Sequence, residues 1–446
     1  MNTITQWVEH YQAEMVATRR RFHQHPESGW FTFYTTAKIA HQLSQLGLSL
    51  QMGRDIVAPD KRQGLGSPEQ LQAALARAKS LLSAEECAFL PVMEDGLTGV
   101  VGILDTQVAG PTTAFRFDID CVDVTESHSE THRPEHSGFR ADVDGMMHAC
   151  GHDGHITIGL FLAKILSEHK ADLKGKFKFI FQTAEEGCRG AVAMEPTGIV
   201  DDVDYLIGAH IGFRATENRG LICGVNKFLS TSKFDVHFHG QSAHAAGAPE
   251  QGANALLAAA EAAIQMHAIT RHSAGVTRVN VGVLRAGEGR NVIAPKGFLA
   301  CETRGETTAL NDFMKAKCQA IIEGVAKIHG VSYEIRETGG TAGGDSSPFI
   351  THLLETVANQ SPLFDDNRII ESLDFGACED FAHLMRKVQQ NGGQSGYFMI
   401  GTQLAAGHHN ACFDFDEIAL VEGLDVFLRA AYHLNAKNGS YTKPAK

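Results

Sequence analysis

Nowhere does this 446-residue chain stay apolar long enough to span a bilayer. Its longest such run, "ANALLAAAEAAIQMHAI", is interrupted by Glu261 and Gln265 and falls short of the ~20 residues a spanning helix needs. Positive charge is also scarce: 39 Lys and Arg face 52 Asp and Glu, for a formal net charge of −13. That balance excludes a general nucleic-acid or anionic-membrane surface, and it means that an anionic substrate needs a local cationic pocket. The N-terminal stretch "MNTITQWVEHYQAEMVATRRRFHQHPE" carries charge throughout and lacks the apolar core of a signal peptide. The nine cysteines (87, 121, 150, 188, 223, 301, 318, 378 and 412) are scattered and odd in number, which argues against a disulfide framework. No internal repeat or low-complexity tract is present. The expectation is an unexported, cytoplasmic protein with neither membrane nor nucleic acid among its partners.

What is there reads as an ordinary globular chain, too long for one hydrophobic core, so two domains are expected. Trp7, Val8, Tyr11 and Met15 fall at helical spacing and "TTAKIAHQLSQLGLSL" repeats the pattern, with Gly47 as C-cap, so two helices should precede the first core strands. The stretch from about 52 to 96 reads as an insertion holding one helix capped near Ser67. From about residue 98, the short apolar runs "LTGVVGILD", "TTAFRFDID", "FKFIFQTAEEG" and "DYLIGAHIG" share the sequence with the helical "ITIGLFLAKILSEH", which predicts an α/β fold with a largely parallel sheet. Residues 225–340 change to the order strand, helix, strand, strand, helix, strand, a self-contained ferredoxin-like α+β domain. It is inserted into a discontinuous domain of residues 1–224 and 341–446.

Groups able to bind metal or move protons stand at strand ends or tight turns. These are Asp118 and Asp120 in "FRFDID", Cys150 and His152 in "MMHACGHDGH", Glu185 and Glu186 in "TAEEG", His210 in "GAHIG", and His408 and His409 in "GHHNACF". Each alone has a plainer explanation: a core histidine, first-turn carboxylates, aspartate N-caps. Together they do not, because ligands in open α/β sheets gather beyond the carboxyl ends of strands. Adjacent glutamates also suit metal-assisted hydrolysis, one as ligand and one as proton carrier.

Through "RRRFHQHPESGW", "MMHACGHDGH", "RVNVGV", "GRNVIA" and "IGTQLAAGHHN", nearly the whole chain resembles the dinuclear metallo-amidohydrolases related to aminoacylases and carboxypeptidase G. The likeness is to the branch that contains hippurate hydrolase and the indole-3-acetyl-amino-acid hydrolases. The resemblance implies a zinc-peptidase-like catalytic domain with a mostly parallel mixed sheet, and an inserted lid or dimerisation domain. Two divalent ions, Mn²⁺ first and Zn²⁺ second, would be held by Cys150, His152, Glu186, His210 and His409, with His408 as the alternative to His409. Glu185 would be general base and acid, and Asp120 the carboxylate that orients a ligand histidine. Asp118 stands where relatives with another motif have a metal-binding histidine, a duty Cys150 would take over. In the inserted domain, "GQSAHAAGAPEQGAN" resembles a lid motif whose histidine, here His244, steadies an oxyanion. Asn291 and Arg304 fall where relatives hold the substrate carboxylate.

The activity this implies is cleavage of the amide in p-aminobenzoyl-glutamate, a folate catabolite, or in another N-acyl-amino acid. The protein would act as a homodimer or as a heteromer with a paralogous second chain. Thr183, Cys378 and Ala411 depart from the residues usual in the family at those places. Two rival readings are a thiol amidase with Cys150 as nucleophile, and a supporting chain that works only with its paralogue.

Overall fold

The computed structural model describes residues 2–438. They form two compact units: one of residues 2–226, 345–375 and 383–438, the other of residues 227–344 and 376–382. The second unit therefore begins and ends a few residues later than the sequence suggests. It also gains a short segment, in which Ala377 O accepts from Leu229 N–H at 2.8 Å.

Twelve strands are described: β1 (Ser49–Met52), β2 (Val100–Asp105), β3 (Thr112–Asp118), β4 (Lys176–Gln182), β5 (Tyr205–Ile211), β6 (Leu221–Asn226), β7 (Ser230–His239), β8 (Thr277–Ala286), β9 (Lys296–Gly305), β10 (Ser332–Thr341), β11 (Ile369–Asp374) and β12 (Gln394–Ile400). Eight make the sheet of the first unit in the order β1-β2-β4-β3-β5-β12-β6-β11. Its centre, β4-β3-β5-β12, is parallel throughout. Every residue of β3 and β5 is buried, as expected of parallel strands covered on both faces, and this is why they read as unbroken apolar runs. The core includes Phe115, Phe117, Phe179, Phe181 and Phe427, the last on the helix Ile418–Asn435.

Three α-helices, not two, precede β1: Asn2–His10, Gln12–Gln24 and Phe33–Gln45. The break at Tyr11 (φ −92°, ψ 0°) is too short to interrupt the apolar spacing, so the sequence pattern runs through it. The insertion holds the helix Pro68–Leu81, capped by Ser67 in a reciprocal box with Gln70. β1, β6 and β11 add to the expected strands; β11 lies at the sheet edge and is largely exposed, so it carries little of the apolar signature of a core strand.

The second unit runs β7, helix Ala255–His267, β8, β9, helix Thr308–His329, β10. Its sheet order β10-β7-β9-β8, antiparallel throughout, is that of a ferredoxin-like fold. Phe234, Val236 and Phe238 alternate inward on β7 and pack with Ala258, Ala262, Met314 and Ile322 of the two helices. Among the described residues no helix is long and apolar enough to cross a membrane.

Candidate metal centre

The parallel register sets the site. Asp118 pairs with Gln182 across β3 and β4, and Ile211 with Ile400 across β5 and β12, so the loops that follow these strands open at one edge of the sheet. The helix His152–Glu168 starts there after Gly151, whose φ of 90° lets the chain turn sharply into its first residue.

Two histidines are fixed by main-chain acceptors. His152 donates Nδ1–H to Asp120 O at 2.8 Å, and His210 donates Nδ1–H to Ile211 O at 2.8 Å. A carbonyl can only accept, so both rings carry Nδ1–H and present an unprotonated Nε2. For His210 that atom is 3.5 Å from Cys150 Sγ; for His152 it is buried and makes no hydrogen bond. Glu186 Oε1 is also buried without a hydrogen bond, 4.0 Å from His152 Nε2 and 3.3 Å from His409 Nε2. Buried, orphaned lone pairs aimed at one another are costly unless a cation lies among them.

The donors fall into overlapping sets whose ligand atoms lie within 4.8 Å of one another: Cys150, His152 and His210; Cys150, Glu186 and His409; His152, Glu185 and Glu186. Cys150 belongs to the first two. His408 points elsewhere: its Nε2 is 3.2 Å from both Phe213 N and Ile211 O, and its ring stacks on His210.

Electrostatics favour the same occupant. Burial, and then the charges of Glu186 and Glu185, push the Cys150 thiol well above its usual range. Burial pushes His210 and His152 down, which keeps both imidazoles neutral, the ligating form. Burial and the neighbouring Glu186 push Asp120 up. Removing the thiol proton and tolerating several carboxylates in a buried place both call for a divalent cation.

Asp120 meets both the ligand candidate and the glutamate pair, its Oδ1 3.8 Å from His152 Nδ1. Its carbonyl, not its carboxylate, is the hydrogen-bond partner of His152; the carboxylate accepts from the backbone N–H of Glu185 at 3.0 Å and of Glu186 at 3.1 Å. Those bonds hold a tight turn in which Ala184 (φ 54°) and Cys188 (φ 61°) are both left-handed, a strained geometry for residues with a Cβ. His409 is left-handed too (φ 62°), its N–H bonded to Ala149 O at 2.8 Å.

Two groups escape sequence reasoning. His155 has Nδ1 2.5 Å from Asp118 Oδ1 and accepts from Ile211 N–H at 2.9 Å, while Arg116 donates to Asp118 Oδ2 at 2.6 Å. Asp118 is thus engaged by Arg116 and His155, and these two with His152 hold its carboxyl well below the usual range despite its burial. The spacing of His152 and His155, three apart on one helix face, was the available signal. The second group is Arg19, fully buried, which pairs with Asp153 at 2.7 Å and Asp414 at 2.9 Å, while His23 bridges Asp153 and Glu126 at 2.8 and 3.0 Å.

The remaining candidates belong to the second unit. His244 is exposed, with Nδ1 accepting from the N–H groups of Ala246 and Gly247 at 3.2 and 3.0 Å, which leaves Nε2 facing outward. Asn291 lies beside it, its carbonyl bonded to Ala245 N–H at 3.0 Å. Arg304, on β9, is bound in a fork by Glu302 at 2.5 and 3.2 Å.

A thiol and neutral imidazoles poised for cations, with a second glutamate beside them, define a metal-dependent amide hydrolase. The sequence profile of peptidase family M20/M25/M40 matches residues 114–433, and the chain belongs to that family. It is 43% identical to a chain of the p-aminobenzoyl-glutamate hydrolase of Escherichia coli (strain K12), over 97% of this chain and 98% of that one. It is also 43% identical to indole-3-acetyl-aspartic acid hydrolase of Enterobacter agglomerans, over 98% of this chain and 100% of that one. Among solved structures, the aminobenzoyl-glutamate utilization protein of Klebsiella pneumoniae superposes with a TM-score of 0.81 at 38% identity, covering 96% of this chain and 97% of that one.

Proposed function

We propose that this chain hydrolyses the amide bond of p-aminobenzoyl-glutamate, releasing p-aminobenzoate and glutamate. The observation that carries the reading is the pair Glu185–Glu186, clamped by Asp120, with Glu186 turned among Cys150, His152 and His409. Similarity to the Escherichia coli and Klebsiella proteins supports the substrate. The equal identity to the indole-3-acetyl-aspartate hydrolase keeps a second arylacyl amide of an acidic amino acid as the alternative.

Cys150, His152, Glu186, His210 and His409 would hold two divalent ions, Mn²⁺ or, second, Zn²⁺. Bound there, the ions supply Lewis-acid polarisation of the amide carbonyl and a water acidic enough to attack at neutral pH. Glu185 takes the proton of the attacking water and passes it to the departing nitrogen. His244 donates from Nε2 to the oxyanion, from its own chain or from a second copy, and Asn291 and Arg304 receive the amino-acid carboxylate. Glu302, forked onto Arg304, would have to yield to the substrate carboxylate. The protein works in the cytoplasm as a homodimer or as a heteromer with a paralogous chain; the Escherichia coli relative, named as one subunit of its hydrolase, supports the second arrangement.

The test is release of glutamate from p-aminobenzoyl-glutamate by the purified chain, after chelation and after return of Mn²⁺ or Zn²⁺. Restored release supports the reading. Silence with either metal, with and without a paralogous chain, overturns it.

A further inference from the structure

A cavity of the first unit, of about 530 Å³, flanks the metal centre. Its wall includes Trp30, Phe31, Gly66, Ala73, Asp123 and Arg189. Two of these tie it to the site: Asp123 lies three residues beyond Asp120, and Arg189 Nε donates to Glu186 O at 2.9 Å. The helix Pro68–Leu81 of the insertion also lines it, through Gln70, Ala73, Ala74 and Arg77.

Trp30 and Phe31 line this slot beside Arg189. Trp30 is anchored by its Nε1–H bond to Gln63 O at 2.7 Å. Two wall glycines leave little room for a side chain: a Cβ on Gly66 would come within 2.3 Å of Phe31 Cζ, and Gly29 holds a left-handed φ of 52°. Arg189 donates to the carbonyls of Glu186 and Gly64, and among the described residues no carboxylate lies within ion-pair distance of it. Aromatic rings, a flat cation and small residues around a cavity of this size suit a planar aromatic group. Asp123 is exposed at the rim and offers an acceptor for an N–H on that group.

We propose that this slot is the acyl-group subsite, that it takes an aromatic ring between Trp30, Phe31 and Arg189, and that Asp123 accepts the ring's N–H. The inference rests on the amide-hydrolase reading and adds the specificity-determining residues. An arylamine and an indole both carry the N–H that Asp123 requires, so one slot serves both p-aminobenzoyl and indole-acetyl substrates.

The experiment compares Ala73→Phe, an exposed helix position whose new ring would enter the slot, with the unsubstituted metal-loaded chain. The ratio of kcat/KM for p-aminobenzoyl-glutamate to that for N-acetyl-glutamate should fall about tenfold or more. In Asp123→Asn, the ratio for p-aminobenzoyl-glutamate over benzoyl-glutamate should fall about fivefold. Ratios unchanged within error overturn the proposal. If the unsubstituted chain cleaves none of these, the hydrolytic reading fails instead, and saturation-transfer NMR decides the slot. Binding of p-aminobenzoate that Ala73→Phe abolishes upholds it; binding absent, or equal in both proteins, overturns it.

Discussion

Arg19 Nε stands 2.7 Å from Asp153 Oδ2 with neither side chain exposed, in an ion pair rather than an aligned hydrogen bond. Asp153 directly follows the ligand candidate His152, so the pair fixes the first turn of that helix. Arg19 also holds Asp414. Removing the guanidinium leaves Asp153 to His23 and Asp414 to Arg133, two buried carboxylates short of a cation, so Arg19→Met should destabilise the protein by about 3–5 kcal/mol, read from denaturant unfolding. Arg19→Lys should recover only part of this, because an ammonium cannot fork between both partners. A loss below about 1 kcal/mol in the Met variant would show that the network is structurally idle.

Binding of cations should expel the Cys150 proton. Burial keeps the thiol protonated in the metal-free chain, so loading at neutral pH should release about one proton per chain from this residue. A pH indicator in weak buffer reads it, and Cys150→Ser should release about one fewer. Equal release from both proteins would remove Cys150 from the ligand set.

Glu185→Gln should keep its metals while kcat falls by about 10²- to 10⁴-fold. Glu186→Gln should instead lose metal, measured by elemental analysis after gel filtration. If the two variants exchange these phenotypes, the roles of the adjacent glutamates are reversed.

The two histidines of "GHHN" should separate in the same way. His409→Asn preserves the preference for the left-handed backbone at φ 62° and should lower metal content; His408→Asn disturbs the contact with Phe213 and Ile211 and should lower thermal stability first. Metal loss confined to the His408 variant would reassign the ligand.

Glu422 supplies a pH dependence. It is 1% exposed, both its oxygens accept from Arg219 N–H at 3.1 and 3.2 Å, and burial pushes its carboxyl from 4.5 up to about 7. A raised folded value means that the folded state holds the extra proton between the two values. The contribution is fully present below pH 4.5 and is lost as pH rises through about 7. Glu422→Gln keeps an acceptor and cannot ionise, so its Tm relative to the unsubstituted protein should rise between about pH 5 and about pH 8. A difference that is flat over that range would contradict it.

The central strands were legible because burial on both faces leaves unbroken apolar runs, as in "YLIGAHI", and the ligand candidates because they punctuate the ends of those runs. β11 was not, since an exposed edge strand has little apolar pattern to read. The roles of Asp118 and Asp120 were obscured for another reason: a sequence names the residue but not the atom that makes the contact. Arg19 and His155 were hidden because buried charges resemble surface ones until their partners, distant in the chain, are known. Asp414 and Asp153 lie 395 and 134 positions beyond Arg19.

The two contacts of Asp120 differ in what can erase them. Its carbonyl, which sets the proton on His152, is present whatever amino acid occupies the position; its carboxylate, which holds the turn of Glu185 and Glu186, is specific to that one side chain. A point mutation at residue 120 can therefore disarm the proton carrier without erasing the carbonyl that sets the tautomer of the ligand.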